Sequence, residues 1–158
     1  MEKIKINFIL NNRAVTVESN PNRRLVDMLR EDCKCLSVKE GCGEGECGAC
    51  TVLVNNEPVT SCLMLAGQVE GDKVLTLEGL SENGELDKLQ TAFIKSGAVQ
   101  CGFCTPGVLM SAKALLDENP DPTEEEVRVA IEGNICRCTG YDRMVLGIMK
   151  AAEYMKRV

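Results

Sequence analysis

Histidine is absent from this chain of 158 residues. That excludes imidazole acid–base catalysis, mixed cysteine–histidine zinc sites and histidine-ligated iron–sulfur centres. No apolar run approaches the length needed to span a bilayer, which argues against a membrane protein. The N-terminal stretch Met1-Glu2-Lys3-Ile4-Lys5-Ile6 alternates like a strand and lacks the apolar core of a secretory signal, so a cytoplasmic protein is expected. A basic patch is missing as well. Lysine and arginine are scattered and the net charge is −6, which speaks against a nucleic-acid partner. The acidic surface reads as a solvated face with some bearing on a protein partner. No tract is of low complexity.

Cysteine is what the chain has in excess, with ten residues. In a reducing compartment so many thiols are not a disulfide framework, and metal binding is the better reading. With histidine gone, ligation is all-cysteine.

A coarse pass divides the chain in two. Residues 3–10 have period two, Asn11-Asn12 supplies a turn, and residues 14–18 form the second arm of a hairpin. Leu25, Met28 and Leu29 mark a short helix over residues 24–31. A glycine- and cysteine-rich loop fills residues 41–50. A strand at 51–54, an Asn55-Asn56 turn, an arm near 58–60, a helical turn over 61–68 and a last strand at 73–78 complete a small mixed sheet crossed by one helix. Beyond Gly79 the period becomes helical. Helices are expected over 86–95, 105–118 (Thr105 as N-cap, Pro106 at N1), 123–133 (a Thr123/Glu126 capping box) and 141–157. Short connections between four helices suggest a small bundle. The resulting expectation is an α+β chain, with domains at 1–79 and 80–158 and a linker at Ser81-Glu82-Asn83-Gly84-Glu85.

The cysteines respect this division. Cys42, Cys47 and Cys50 follow a C-x4-C-x2-C spacing, and Cys62 comes eleven residues later, the pattern of a plant-type [2Fe–2S] site. Interleaved glycines suit a loop that must turn tightly around a cluster. In the second half, Cys101 and Cys104 are joined by Cys136 and Cys138, four thiols from two loops. Both pairs lead into helices whose N-terminal dipoles favour thiolates, and a site held by helices is expected inside the bundle, partly shielded from water. Two rivals apply to this second set. A thioredoxin-like dithiol needs a strand before Cys101, where a helix is expected, and structural zinc accepts similar spacings.

Three runs carry a resemblance: residues 41–50 (GCGEGECGAC), 100–107 (QCGFCTPG) and 133–141 (GNICRCTGY). They are similar to those of the small iron–sulfur subunit of the xanthine dehydrogenase, or molybdenum hydroxylase, family, and the likeness covers essentially the whole chain. The resemblance implies a β-grasp ferredoxin domain followed by a four-helix domain, with two [2Fe–2S] clusters. It also implies a molybdopterin-binding large subunit that oxidises substrate, and FAD on a third subunit as electron acceptor. By position, Cys101, Cys104, Cys136 and Cys138 hold the molybdenum-proximal cluster, and Cys42, Cys47, Cys50 and Cys62 the flavin-proximal one. Gln100 and Cys138 stand where relatives contact the pterin. On the residues alone, Gln100 is only a polar residue before a helix.

The chain itself reads as a wire without a catalytic constellation. Glu40, Glu44 and Glu46 are expected to disfavour an electron at the first cluster, and Arg137 to favour one at the second. Cys33 and Cys35 fall outside the pattern and read as reduced, partly buried thiols, with a redox-sensitive or metal-scavenging pair as the alternative. A free-standing two-cluster ferredoxin is the competing functional class. Loop wording at residues 37–41 and 96–100 leans towards a hydroxylase of an N-heterocycle such as a purine or nicotinate.

Overall fold

The computed structural model describes residues 2–81 and 84–156. Glu82 and Asn83 of the expected linker, and the Arg157 end of the last expected helix, lie outside the described residues.

Strands β1 (Ile4–Leu10) and β2 (Arg13–Ser19) pair antiparallel from Ile4↔Ser19 to Leu10↔Arg13. Asn11 and Asn12 close the hairpin with φ of 51° and 65°, a turn that asparagine enters more readily than most residues. Asn55 and Asn56 repeat the device at 51° and 71° between β3 (Thr51–Val54) and β4 (Glu57–Thr60). Strand β5 (Lys73–Leu75) lies between the hairpins, parallel to β1 and antiparallel to β3, so the sheet order is β2-β1-β5-β3-β4. The last strand is shorter than expected: residues 77–79 turn into a 3-10 helix.

The expected helix at 24–31 is a single α-turn, α1 (Leu25–Asp27), that runs into a π-helical turn at Met28–Asp32. Leu25, Val26, Met28 and Leu29 are fully buried, in one core with Ile6 and Phe8 of β1 and Val52 of β3. Arg30 ties the following segment down by donating to the carbonyl of Val38. Sheet and helix thus enclose an apolar core, and the loop at 41–50 leaves it without regular structure.

Four helices make the rest: α2 (Lys88–Lys95), α3 (Thr105–Glu118), α4 (Glu124–Ala130) and α5 (Asp142–Lys156). Asp87 caps α2 and forms a capping box with Gln90, which moves its start past the expected residue 86. Thr123 and Glu126 form the expected box on α4, but the helix stops at Ala130, three residues early. Thr105 is not a cap: Cys104 occupies the N-cap of α3 and Thr105 is its first turn. Phe93, Val108, Met144 and Ile148 fill a second core shared by these helices.

A third, small cluster joins the two. Leu53 of β3, Leu80 and Met110 of α3 are buried together, and α3 lies against β3 and β4. This contact sets how the two cysteine-bearing regions face each other. Truncating Met110 to Ala removes its central side chain. The substitution should cost about 2–4 kcal/mol, read as a lower urea midpoint at unchanged slope.

Candidate metal centres

The first four cysteines come from a loop and a turn. Cys42 lies at the surface, Cys47 is half-buried, and Cys50 and Cys62 are buried together at the open end of the β3–β4 hairpin. The Cys42 Sγ accepts from the backbone N–H groups of Glu44 and Cys47, both at 3.4 Å. These donors bring its pKa down to about 7. Burial pushes the neighbouring Cys50 thiol up to about 11, with Cys62 beside it.

The second four come from the segment before α3 and the loop before α5. Cys101 and Cys138 are exposed, with their Sγ atoms 3.6 Å apart. Cys104 is buried next to Cys136, and burial drives its pKa up to about 12. Burial also raises Cys136, but hydrogen bonds from the Thr139 hydroxyl (3.1 Å) and amide (3.5 Å) outweigh it and hold that thiol below its ordinary value. The Tyr141 hydroxyl accepts from the Cys136 amide at 2.9 Å and shapes the loop. The site is not enclosed by the helices as expected. It sits at their ends, because only Cys104 lies on a helix terminus whereas the other three thiols belong to loops.

The thiols gather two by two: Cys42 with Cys47, Cys50 with Cys62, Cys101 with Cys138, Cys104 with Cys136. Among the described residues, no three ligating side chains converge as a single ion requires. Paired thiols suit a centre with two irons better than a tetrahedral zinc, whose four ligands crowd one point. Backbone donors on Cys42 are what an anionic cluster needs. Thr105 adds a buried hydroxyl with no protein partner, directly after Cys104, where a cluster sulfur would accept it. Residues 97–100 before Cys101 form no strand, so the thioredoxin-like reading loses its context.

Two matches to known families cover the chain, "2Fe-2S iron-sulfur cluster binding domain" over residues 8–81 and "[2Fe-2S] binding domain" over 76–149. The nicotinate dehydrogenase small FeS subunit of Eubacterium barkeri is 56% identical over 97% of this chain and 98% of its own. The crystal structure of quinoline 2-oxidoreductase from Pseudomonas putida 86 contains a chain with TM-score 0.95 and 41% identity, matched over 99% of this chain and 98% of that one. The chain belongs to the small iron–sulfur subunits of the molybdenum hydroxylase family. The aldehyde oxidoreductase of Desulfovibrio desulfuricans ATCC 27774 has the same fold, TM-score 0.94 and 46% identity, in 17% of a longer chain. The small subunit has a ferredoxin-like α+β fold, carries [2Fe–2S] clusters and is an electron-transfer component of an oxidoreductase. No helix among its described residues is long and apolar enough to cross a membrane.

Gln100 is exposed beside Cys101, and Arg137 is exposed between Cys136 and Cys138. Cys33 is half-buried and Cys35 buried, both against the first core. Burial, then Cys35 and Asp32, push Cys33 up to about 11, and burial raises Cys35 as well, which disfavours the reactive thiolate at both. Glu44 and Glu46 are exposed, but Glu40 is not a free charge. Arg24 grips it with Nη1 at 2.5 Å and Nη2 at 3.2 Å, and binds Asp27 through Nε and Nη2 at 2.9 Å each. Sequence reasoning missed this clamp because Arg24 and Glu40 are sixteen residues apart.

These environments rank the thiols in the cluster-free subunit. Iodoacetamide should modify Cys42 early, with its rate half-maximal near pH 7. Cys50 and Cys104, protonated until far higher pH, should react only once the chain unfolds. Mass spectrometry across pH 6–9 reads the order, and Cys50 reacting before Cys42 contradicts it.

Proposed function

We propose that this small subunit conducts electrons from a molybdopterin-binding large subunit, through its two clusters, to FAD on a third subunit. Cys42, Cys47, Cys50 and Cys62 hold one cluster in a β-grasp domain at 1–79. Cys101, Cys104, Cys136 and Cys138 hold the other in a four-helix domain at 80–158. The overlap of the matched regions at 76–81 supports that boundary. Each cluster, when bound, takes up and releases a single electron.

One observation carries the reading: the Ile135 N–H donates to the Cys47 carbonyl at 2.9 Å. Ile135 precedes Cys136, so a backbone hydrogen bond joins a cysteine of one set to the neighbour of a cysteine of the other. Two redox sites in such contact make a series connection. Each also opens to the surface at one end, at Cys42 in the first and at Cys101 and Cys138 in the second. A free-standing ferredoxin needs one such opening, and a conductor between two partners needs two.

The openings differ. Gln100, Val99 and Phe103 are exposed around Cys101 and form the face for the large subunit, with Gln100 and Cys138 set against the pterin. Leu63 and Leu65 are exposed beside the first loop and suit the FAD-binding subunit. Relatives named for nicotinate and quinoline support an N-heterocycle as the substrate of the assembly, with an aldehyde as the competing class. Cysteines used as cluster ligands, with none of the ten in a disulfide, support a reducing, cytoplasmic setting.

Cys101→Ser and Cys62→Ser should each lose half of the bound iron and one of two electron paramagnetic resonance signals, a different one in each variant. Loss of the same signal in both would merge the two sites and sink the assignment. Purified from its native source, the subunit should elute with a molybdenum-containing partner, whereas a loaded monomer free of molybdenum supports the ferredoxin alternative. Arg24→Gln frees the Glu40 carboxylate beside the first loop. The potential of that cluster should fall by roughly 20–40 mV, under 1 kcal/mol because the clamp is partly in water, with the second cluster unmoved.

A further inference from the structure

The two cysteine loops meet through a contact too tight for any side chain but one. The Gly48 carbonyl accepts three hydrogen bonds. Two are local, from the Thr51 amide (3.1 Å) and hydroxyl (2.8 Å), and the third comes from Asn134 Nδ2 at 3.0 Å, across the junction of the two halves. Asn134 is 2% exposed, and its own amide donates to the Ile131 carbonyl at 2.9 Å. Glycine permits the approach. A Cβ on Gly48 would lie 2.3 Å from the Gly133 carbonyl oxygen, and one on Gly107, at the start of α3, 2.1 Å from the Gly48 oxygen. Gly48 also holds φ of 65°, the left-handed region that costs glycine little.

Immediately beside this contact lies the bond from Ile135 to Cys47. The two hydrogen bonds join successive residues on both sides, Asn134-Ile135 to Gly48 and Cys47, so neither loop can slide without breaking both. The side-chain bond is the adjustable one. Its removal leaves the Gly48 carbonyl with two donors, so no buried acceptor is orphaned and the fold survives.

We propose that Asn134 is a positioning residue for electron passage between the two cluster sites. Its side-chain amide holds the Gly48 carbonyl, keeps the Ile135 amide on the Cys47 carbonyl, and so fixes the separation and the hydrogen-bonded route. The proposal rests on the eight cysteines being the cluster ligands. The passage it serves moves one electron and no proton: one iron of the second cluster goes from Fe(II) to Fe(III) as one iron of the first goes from Fe(III) to Fe(II). No bond is made or broken.

The test uses the iron-loaded full chain with Asn134→Ala and Asn134→Leu, the second keeping approximate size while losing the donor without adding a charge. Hydrogen–deuterium exchange over residues 131–136 should quicken about tenfold, the loss of one net hydrogen bond. The magnetic splitting between the two reduced clusters should change, while iron content and both midpoint potentials stay as in the parent. Unaltered exchange and splitting in fully loaded variants overturn the proposal. Loss of iron from both variants also overturns it, in favour of a purely structural role. If the unsubstituted chain shows no splitting between two clusters, the ligand assignment itself fails, a result distinct from either.

Discussion

The 2.9 Å hydrogen bond from Ile135 to Cys47 is the constraint around which the molecule is organised. A chain that conducts electrons must hold two centres at a fixed separation, and each cysteine loop alone is irregular backbone with no ladder to stiffen it. The stiffness comes from behind. Leu53, Leu80 and Met110 lock β3 to α3, and the two loops project from that junction towards each other. Packing density makes such a junction rigid, since a close-packed core resists small displacements. Apolar contact thus sets the coarse distance, and the backbone bond with its neighbouring Asn134 clasp sets the fine one.

Iron–sulfur character was the most legible feature of the sequence, because closely spaced cysteines are a local property and both cysteine-bearing regions match [2Fe–2S] families. The asparagine hairpins and the Thr123/Glu126 box were equally readable, each being a property of two to four consecutive residues. Everything that joins distant residues was opaque. The Arg24–Glu40 clamp and the meeting of Gly48, Gly107 and Asn134 depend on how two layers approach, and no periodicity encodes that. The π-helical turn at Met28–Asp32 follows helical spacing closely enough to read as an ordinary helix. Thr105 misled for a related reason. Threonine before proline has the form of a cap, yet here the cap position is occupied by Cys104, and the hydroxyl is left without a protein partner.

The two thiol sets differ in what surrounds them, and the difference bears on direction. Around the first site, backbone N–H groups reach Cys42, and Glu40, just before the loop, is already neutralised by Arg24. Around the second, Thr139 donates to Cys136, Thr105 has a hydroxyl to spare, and Arg137 stands exposed without a carboxylate partner among the described ion pairs. Donors stabilise the more negative, reduced form at either site, while the exposed carboxylates of Glu44 and Glu46 oppose it at the first.

The two openings bear on direction as well. The Cys101–Cys138 pair is exposed with Phe103 and Gln100 around it, an opening that leaves thiols in water unless another chain covers it. Covering it removes water and strengthens every charge interaction there, whereas the first site keeps two buried thiols, Cys50 and Cys62, with or without a partner. Docking therefore alters the second site more than the first. In the proposed assembly, a partner that seals Cys101 and Cys138 would adjust the potential of the cluster those thiols hold more than that of the other.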